Sequence, residues 1–239
     1  MRPGSIEGLA RTIAGLAEAG RKVEIRGGGS KADIGAPRQA EIVEMAGFSG
    51  ILDYDPAELV LTCGAGTPLV EIEAVVAERR QMLAFEPFDH GPMFGRGEGA
   101  ATIGGIIAAG VSGPRRLSRG GVRDHLLGFK AVSGRGEVFV GGGKVVKNVT
   151  GYDLCKVMAG SWGRLAALTE VSLKVLPRPE VELSLAARRL DAGKAVALMA
   201  QAMGSKADVA AAAHAPALTV LRLEGFGPSV QARVKLLEA

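Results

Sequence analysis

The chain has 239 residues, of which 47% are hydrophobic and 23% are charged, so it can bury one large core or two smaller ones and is not typical of a disordered protein. Its net charge is only +4, aromatic residues make up 4%, and no nucleic-acid-binding motif is present, which argues against a nucleic-acid-binding protein. The 35 glycines are concentrated in a few clusters, which predict specific tight loops rather than a linker.

The N-terminal pattern predicts a helix followed by a strand. Apolar residues recur with helical spacing over residues 5–19, Ser5 is a suitable N-cap, and Gly20 ends the helix. Residues 22–26 alternate like a strand and lead directly into the sequence GGGSK at residues 27–31. A strand that ends in three glycines and a serine can curl into a nest of backbone N–H groups that binds a diphosphate, and the alternative is an ordinary turn between strands.

The same glycines match a weak dinucleotide fingerprint, which we reject. Gly27-x-Gly29-x-x-Ala32 follows a strand, and Asp53 lies at a suitable distance downstream. The fingerprint also requires a helix to open at its third position, but residues 32–37 have no helical periodicity and end in proline. We therefore do not predict a Rossmann site.

Several short strands and one helix are predicted between residues 41 and 100. The strands cover residues 41–43, 51–54, 58–63 and 82–85. The helix has Thr67 as its N-cap and Pro68 at its first position. Residues 89–100 form a polar, glycine-rich loop, and His90 within it is interpreted as an ordinary loop histidine because a single histidine does not make a metal site.

Residues 101–124 contain the strongest signals for ligand binding. Six glycines let the backbone approach a flat or charged ligand, and four arginines suit a diphosphate or a carboxylate. Residues 102–110 are predicted to form a short helix opened by Gly104-Gly105, with free N–H groups that face a ligand. The alternative is a mobile loop, but Ile103, Ile106 and Ile107 indicate a buried apolar stripe.

The next part of the chain is mostly strands in the prediction. It contains a hairpin over residues 126–132 and 137–140, a short helix over residues 152–158, a tight turn over residues 160–163 and a strand over residues 165–176. That last strand alternates between apolar and polar residues, which predicts one solvent-exposed face and antiparallel pairing. Lys144 and Lys147 follow glycines, but neither completes a P-loop.

Pro177 and Pro179 mark a predicted domain boundary. Beyond it we predict a strand over residues 181–185, a helix over residues 191–203, a strand over residues 218–223 and a helix over residues 228–238. Residues 207–217 are expected to be an alanine-rich loop with His214 exposed. Two strands alone would leave an open edge and an uncovered apolar face formed by Val181, Leu183 and Leu185.

Cysteine content and the N-terminal residues bear on the compartment. Cys63 and Cys155 are too few for a disulfide framework or a metal site, and we expect them to be reduced and partly buried. The N-terminus MRPGSIEG lacks the apolar segment of a signal peptide, and no apolar run approaches the ~20 residues of a membrane span. We therefore expect a cytoplasmic protein.

Several motifs in a fixed order resemble the flavin-binding domain of the vanillyl-alcohol oxidase and p-cresol methylhydroxylase (PCMH-type) family. They are VEIRGGGSKADIG, ATIGGIIAAGVSGPRR and the stretch from GGVRDHLLGFK to KVLPRPE, and residues 55–179 carry most of the match. The resemblance implies an α+β fold with a PCMH-type FAD-binding domain of two α/β subdomains, at about residues 1–87 and 88–178. A partial βα cap domain follows at residues 179–239, and relatives continue beyond this point.

The resemblance also implies which residues bind FAD. The implied diphosphate loop is Gly27, Gly28, Gly29, Ser30 and Lys31, and the segment against the isoalloxazine and diphosphate is Thr102, Ile103, Gly104 and Gly105. Ser112, Arg123 and Asp124 lie on the matching second loop, with Gly163 and Val171 near the adenine-side strand. Some family members attach FAD through a histidine or cysteine, and because neither occurs in residues 27–31 or 101–124, we expect a non-covalent FAD.

The implied function is an FAD-binding component of a glycolate or 2-hydroxy-acid dehydrogenase complex. Its implied partners are a second flavoprotein subunit, an iron–sulfur subunit and a small 2-hydroxy acid substrate, with peripheral attachment to the inner face of the membrane through the complex. We assign no catalytic residue and no metal site, because the corresponding residues of relatives lie largely beyond the matched part. The alternatives are a non-catalytic assembly subunit that keeps the fold and, less favoured, a flavin reductase of the cell-wall precursor type.

Overall fold

A computed structural model of the chain describes residues 1–36, 38–143 and 151–238. Lys144 and Lys147, which the sequence analysis excluded as parts of a P-loop, lie outside the described residues. The chain divides into two compact units that alternate along the sequence. The first unit comprises Met1–Leu83, Pro87–Val111 and Val122–Leu176, and the second comprises Ala84–Glu86, Ser112–Gly121 and Pro177–Ala239.

The described elements mix helices and strands throughout, which confirms the predicted α+β class. The elements up to residue 109 are α1 (Ile6–Glu18), β1 (Val23–Arg26), β2 (Glu41–Glu44), β3 (Ile51–Asp55), β4 (Val60–Gly64), α2 (Leu69–Glu78), β5 (Gln81–Met82), a 3₁₀ turn (Pro92–Phe94) and α3 (Ile103–Ala109). The next are α4 (Arg116–Arg119), α5 (Val122–His125), β6 (Leu126–Ser133), β7 (Val138–Gly142), α6 (Leu154–Met158), β8 (Ala166–Lys174) and β9 (Leu176–Pro177). The last are β10 (Val181–Arg188), α7 (Ala192–Met203), β11 (Ala211–Ala215), β12 (Leu218–Gly225) and α8 (Gly227–Glu238).

A five-stranded antiparallel sheet in the order β3-β4-β8-β6-β7 forms the centre of the first unit. Strand β8 lies in its middle, where Val171 is opposite Cys63 of β4 on one side and Phe129 of β6 on the other. The antiparallel pairing predicted for this strand is confirmed. Its predicted solvent-exposed face is wrong, because Ser172 is buried and its hydroxyl lies 2.9 Å from that of Thr62, which satisfies both polar groups.

The first helix is held against the sheet by its apolar face. Ser5 caps α1 as predicted, accepting a hydrogen bond from the Gly8 N–H at 3.1 Å. Leu9 and Ile13 belong to one buried cluster whose other members are Val43, Met45, Val132 and Ala167. Strands β1 and β2 form a parallel pair beside this cluster. The glycine-rich segment therefore begins at a strand that is packed against this cluster.

The start of α2 differs from the prediction. Pro68, not Thr67, is the N-cap residue. The Thr67 hydroxyl instead donates to the Gly64 carbonyl oxygen at 2.7 Å and accepts from the Gly50 N–H at 2.9 Å, so it stabilises the turn before the helix. The strand predicted over residues 82–85 is limited to Gln81–Met82, and residues 84–86 belong to the second unit.

The second unit contains a three-stranded antiparallel sheet in the order β10-β12-β11, where only two strands were predicted. The alanine-rich segment expected to be a loop forms β11, which pairs with β12 with His214 opposite Thr219. The His214 side chain is half-buried rather than exposed, and its Nδ1 lies 2.9 Å from the Thr219 hydroxyl oxygen. Alanine has low strand propensity, so pairing with β12 decides the conformation of this segment.

The apolar face of β10 that was predicted to be uncovered is packed. Val181, Leu183 and Leu185 contact a buried cluster that includes Leu223 of β12 and Val230 of α8. The prediction failed because it gave the two helices no part in covering this face, whereas Ala202 of α7 and Val230 of α8 belong to the cluster that these residues contact.

Buried charges connect the separate segments of the second unit. Glu224 on β12 is 6% exposed, and its carboxylate lies 2.8 Å from Arg115 Nη2 and 2.9 Å from Arg222 Nε. Arg222 Nη2 also lies 2.7 Å from Glu86 Oε2. Arg115 is thus a buried partner of a protein carboxylate, although it is one of the arginines expected to suit a ligand. This network explains why Ala84–Glu86 and Ser112–Gly121 belong to this unit.

We predict that Glu224→Gln destabilises the protein by about 3–5 kcal/mol, because it leaves two guanidinium groups around a neutral amide. The matched control is Glu182→Gln, whose side chain is 55% exposed and lies 3.7 Å from Arg222 Nη1. The control should cost less than about 1 kcal/mol. Urea denaturation of the two variants checks this, and equal loss of stability in both would contradict a special role for the buried carboxylate.

Both cysteines are free and buried. Burial raises the pKa of the Cys63 thiol to about 12 and that of the Cys155 thiol to about 11. Both thiols therefore stay protonated well above the pH at which an exposed cysteine ionises, about 8.5. Among the helices within the described ranges, none is both long enough and apolar enough to cross a membrane.

The two thiols should not react with a thiol-specific reagent in the native protein at pH 8, because the reactive thiolate is scarce and inaccessible. In urea at the same pH both should react stoichiometrically. The number of thiols titrated in each condition checks this. Rapid modification of either cysteine in the native protein would mean that the burial found here is not maintained in solution.

Candidate functional site

The first unit contains a cavity of about 740 Å³ beside the glycine-rich segment that follows β1. Its walls come from that segment, from the C-terminal half of α1, from α3 and from the turn that precedes β8. A volume of this size falls within the usual range for ligand pockets, about 300–1,000 Å³. The cavity is therefore the candidate functional site.

Nine residues predicted to bind a cofactor line this cavity. They are Gly27, Gly28, Gly29, Ser30, Lys31, Thr102, Gly104, Gly105 and Gly163. They belong to three segments that are far apart in sequence. The fold thus brings together the glycine-rich segment, the start of α3 and the turn before β8.

The three consecutive glycines after β1 are required for different reasons. A Cβ on Gly28 would collide with the backbone carbonyl oxygen of Ala100, and a Cβ on Gly27 would collide with the Thr102 hydroxyl. Gly29 has a φ of +77°, a left-handed conformation that other residues adopt at a cost. Residues 27–29, which we call the glycine loop, therefore lie directly against the segment that leads into α3.

Backbone N–H groups in and after the glycine loop are available to a ligand. Within the described part of the chain, no acceptor is paired with the N–H groups of residues 27–31. Lys31 follows the loop, and its Nζ lies 3.3 Å from the Ser30 hydroxyl oxygen. Burial lowers the pKa of Lys31, while the Asp89 carboxylate opposes this shift. A partly desolvated ammonium next to unpaired N–H groups is suited to a phosphate.

The lining of the cavity is strongly basic. Its charged residues are Arg21, Lys22, Glu24, Arg26, Lys31, Arg38 and Arg164, six cations and one anion. Arg26 Nη2 lies 2.7 Å from Glu24 Oε1, and Arg38 Nε lies 3.6 Å from the other oxygen of the same carboxylate. The excess of positive charge would attract an anionic ligand.

Helix α3 forms another wall of the cavity, but the N–H groups of Ile103 and Gly104 at its start are not free, which differs from the prediction. The Ile103 N–H donates to the Thr67 carbonyl oxygen at 3.0 Å, and the Gly104 N–H donates to that of Ala65 at 2.7 Å. These bonds attach the start of α3 to the turn before α2. The anion-binding N–H groups are therefore those of the glycine loop rather than those two of the helix.

Gly104 and Gly105 differ in what surrounds them. A Cβ on Gly104 would lie 2.7 Å from the Ala65 carbonyl oxygen, so packing alone requires glycine there. A Cβ on Gly105 would meet only the Thr102 hydroxyl oxygen, at 3.3 Å. Gly105 therefore leaves open space in the cavity that protein packing does not demand.

The remaining predicted residues lie away from the cavity lining. Ile103 and Val171 are fully buried in the core. Arg123 and Asp124 are exposed on α5, and Ser112 belongs to the second unit. Their proposed contact with a cofactor stays a prediction.

Several lining residues were not predicted. Trp162 is 46% exposed at the cavity and follows Ser161, which also lines it. Ala108 and Ala109 extend the wall formed by α3, and Arg164 adds a charge. The sequence analysis predicted a tight turn over residues 160–163 and, through the resemblance, a cofactor contact for Gly163 alone. An apolar ring between glycines was the signal that could have indicated a ligand-facing position.

A family model described as an FAD binding domain matches residues 1–142, which include the glycine loop and α3. The chain belongs to this FAD-binding-domain family. Its cofactor is FAD, as the resemblance implied. The matched segment supplies most of the cavity lining.

Curated relatives share sequence with most of the chain. Glycolate oxidase subunit GlcE of Escherichia coli (strain K12) is 42% identical over 213 residues, which cover 89% of this chain and 59% of that protein. D-lactate dehydrogenase of Archaeoglobus fulgidus is 32% identical over 179 residues, which cover 74% of this chain and 38% of that protein. The chain therefore spans less than two thirds of the length of either relative.

A solved structure shows the same fold. Alkyldihydroxyacetonephosphate synthase superimposes with a TM-score of 0.75 over 100% of this chain and 49% of its own chain, at 17% sequence identity. At this identity the likeness concerns the fold alone, and it confirms the predicted PCMH-type architecture.

The residues around the cavity fit FAD. Lys31 and the N–H groups of residues 27–31, which no described acceptor pairs, suit the diphosphate. The excess of cations matches its negative charge, and the wall at Gly105 is open where a side chain would intrude. Neither histidine nor cysteine is among the described lining residues, and the non-covalent attachment of FAD stays a prediction. Within the described ranges no group of three or more histidine, cysteine, aspartate or glutamate side chains could hold a metal ion.

We predict that Gly105→Leu abolishes FAD binding while the protein remains folded, because the new side chain meets open cavity rather than neighbouring backbone. Gly104→Ala should instead destabilise the protein by about 1–3 kcal/mol, because its Cβ collides with Ala65. Flavin stoichiometry from the visible spectrum and the melting temperature separate the two effects.

Arg79→Ala, at the exposed end of α2, is the control and should change neither property. Wild-type flavin content in Gly105→Leu would show that FAD does not approach this wall. Flavin loss in all three variants would indicate general instability.

Proposed function

We propose that the chain is the FAD-binding component of a dehydrogenase complex that oxidises glycolate or a related 2-hydroxy acid. Two relatives support this substrate class, because one is named a glycolate oxidase subunit and the other a D-lactate dehydrogenase. Glycolate and lactate share a hydroxyl group next to a carboxylate. The two acids differ only by one methyl group, so the same oxidation of a 2-hydroxy acid accounts for both names.

The basic cavity lined by the glycine loop is the observation that carries the proposal. FAD, when bound, supplies a two-electron acceptor for the oxidation of an alcohol and can release electrons one at a time. The N–H groups of the glycine loop and the Lys31 ammonium would hold its diphosphate. The open wall at Gly105 would admit the planar parts of the cofactor. The chain's own residues thus bind and orient the redox group.

Electrons from the oxidation would leave through other subunits. An iron–sulfur cluster needs about four cysteine ligands, whereas this chain has Cys63 and Cys155, both buried. We therefore assign the cluster to a separate iron–sulfur subunit and include a second flavoprotein, as the resemblance implies. The word subunit in the name of the Escherichia coli relative supports an assembly of several chains. We place this complex in the cytoplasm, attached peripherally to the inner face of the membrane.

Affinity purification of the tagged chain from its native cells should recover an iron–sulfur protein and a second flavoprotein. The recovered complex should reduce an artificial dye when glycolate or D-lactate is added. A complex that contains Gly105→Leu should assemble normally and lose this activity, while one that contains Arg79→Ala should keep it.

Two outcomes would contradict the proposal in different ways. Recovery of the chain alone at physiological concentration would argue against the complex. An intact complex in which Gly105→Leu loses FAD from this chain yet keeps full dye reduction would identify a non-catalytic assembly subunit.

A further inference from the structure

Trp162 has a backbone conformation that is unfavourable for a bulky residue. Its φ is +56°, in the left-handed region, and Gly163 follows with a φ of +68°. Left-handed backbone is common for glycine and rare for residues with large side chains, which adopt it only where surrounding structure imposes it. A glycine at residue 162 would form the same turn without this conformational strain, as Gly163 does at the next position.

Two hydrogen bonds to the end of α3 impose this conformation. The Gly160 N–H donates to the Ile107 carbonyl oxygen at 3.0 Å, and the Trp162 N–H donates to that of Ala108 at 2.7 Å. The last carbonyl groups of a helix need donors from beyond its last turn. The Trp162 N–H supplies one to Ala108, and the Gly160 N–H adds to the bond that the Ile107 carbonyl oxygen accepts from Gly110. Both bonds are donated by backbone N–H groups, and residue 162 contributes only its main chain to the second. The fold therefore requires the turn and does not require the indole.

The indole gains little from the folded protein. Trp162 is 46% exposed, whereas a tryptophan that stabilises a core is largely buried. It lines the cavity together with the small residues Ala108 and Ala109, and its backbone is bonded to that of Ala108. An exposed aromatic ring at a strained position, on the wall of a nucleotide site, indicates a role in binding.

We propose that the Trp162 indole stacks on a planar ring of the bound dinucleotide and is a positioning residue for FAD. The proposal rests on FAD binding at this cavity. Rings of adenine and isoalloxazine both offer a π-face, and stacking on tryptophan needs no matching hydrogen bonds. Trp162 therefore stabilises the FAD-bound protein by contacting the ligand, while its left-handed backbone destabilises the ligand-free protein.

The test compares three substitutions at residue 162 in protein freed of flavin. Trp162→Leu, which removes the aromatic ring, should weaken FAD binding by about tenfold. Trp162→Phe, which keeps a π-face, should stay within about threefold of wild type. Trp162→Gly should weaken binding at least as much as Trp162→Leu and raise the melting temperature of the apoprotein, because it relieves the left-handed strain.

Arg80→Gly is the matched control for strain. Arg80 has a φ of +54° and does not line the cavity, so this variant should raise the apoprotein melting temperature and leave FAD affinity unchanged. Dissociation constants follow from flavin fluorescence. The single tryptophan of the chain provides a second signal, since its emission should be quenched when FAD is added to wild type.

Fragments of the cofactor identify the ring. A loss of affinity in Trp162→Leu that is shared by ADP assigns adenine, and a loss confined to FAD and FMN assigns isoalloxazine. Wild-type affinity of Trp162→Leu and Trp162→Gly for all three ligands would overturn the proposal. If the wild-type chain binds no FAD, the proposed FAD site itself is wrong. If wild type and variants bind FAD equally, only the stacking role of Trp162 is wrong.

Discussion

The close approach of three backbone segments is the constraint on which the cavity depends. The glycine loop lies against Ala100, and the start of α3 lies against Ala65, both at distances that exclude a Cβ on Gly28 or Gly104. Backbone hydrogen bonds from Ile103 and Gly104 lock the second contact. Because main chain forms these contacts, the N–H groups of residues 27–31, which have no acceptor among the described residues, lie beside open cavity.

Charge is distributed differently in the two units. In the first unit, cations outnumber anions around the cavity and one of them, Lys31, is partly desolvated. In the second unit, Arg115 and Arg222 are neutralised by Glu224 and Glu86. Basic residues thus serve two purposes here, ligand attraction where cations outnumber the carboxylates around a cavity and structural linkage where a carboxylate is buried beside them.

The turn before β8 shows how structural and binding roles meet in one segment. Its backbone closes the C-terminal end of α3, while the Trp162 ring remains partly exposed at the cavity. The strain at this residue is supported by hydrogen bonds that any amino acid except proline could donate. The backbone of residue 162 therefore stabilises the turn, whereas its side chain is explained by ligand binding.

Local sequence alone determined the helix start at Ser5, the glycine loop after β1 and the short α3, because caps, alternation and glycine runs act over a few residues. Tertiary structure decided β11, whose alanines become a strand only beside β12, and the burial of Ser172 on the face of β8 predicted to be exposed. It also decided that Gly104 serves packing whereas Gly105 faces open space, and that Trp162 reaches the cavity. These features depend on partners distant in sequence, which periodicity and turn chemistry do not encode.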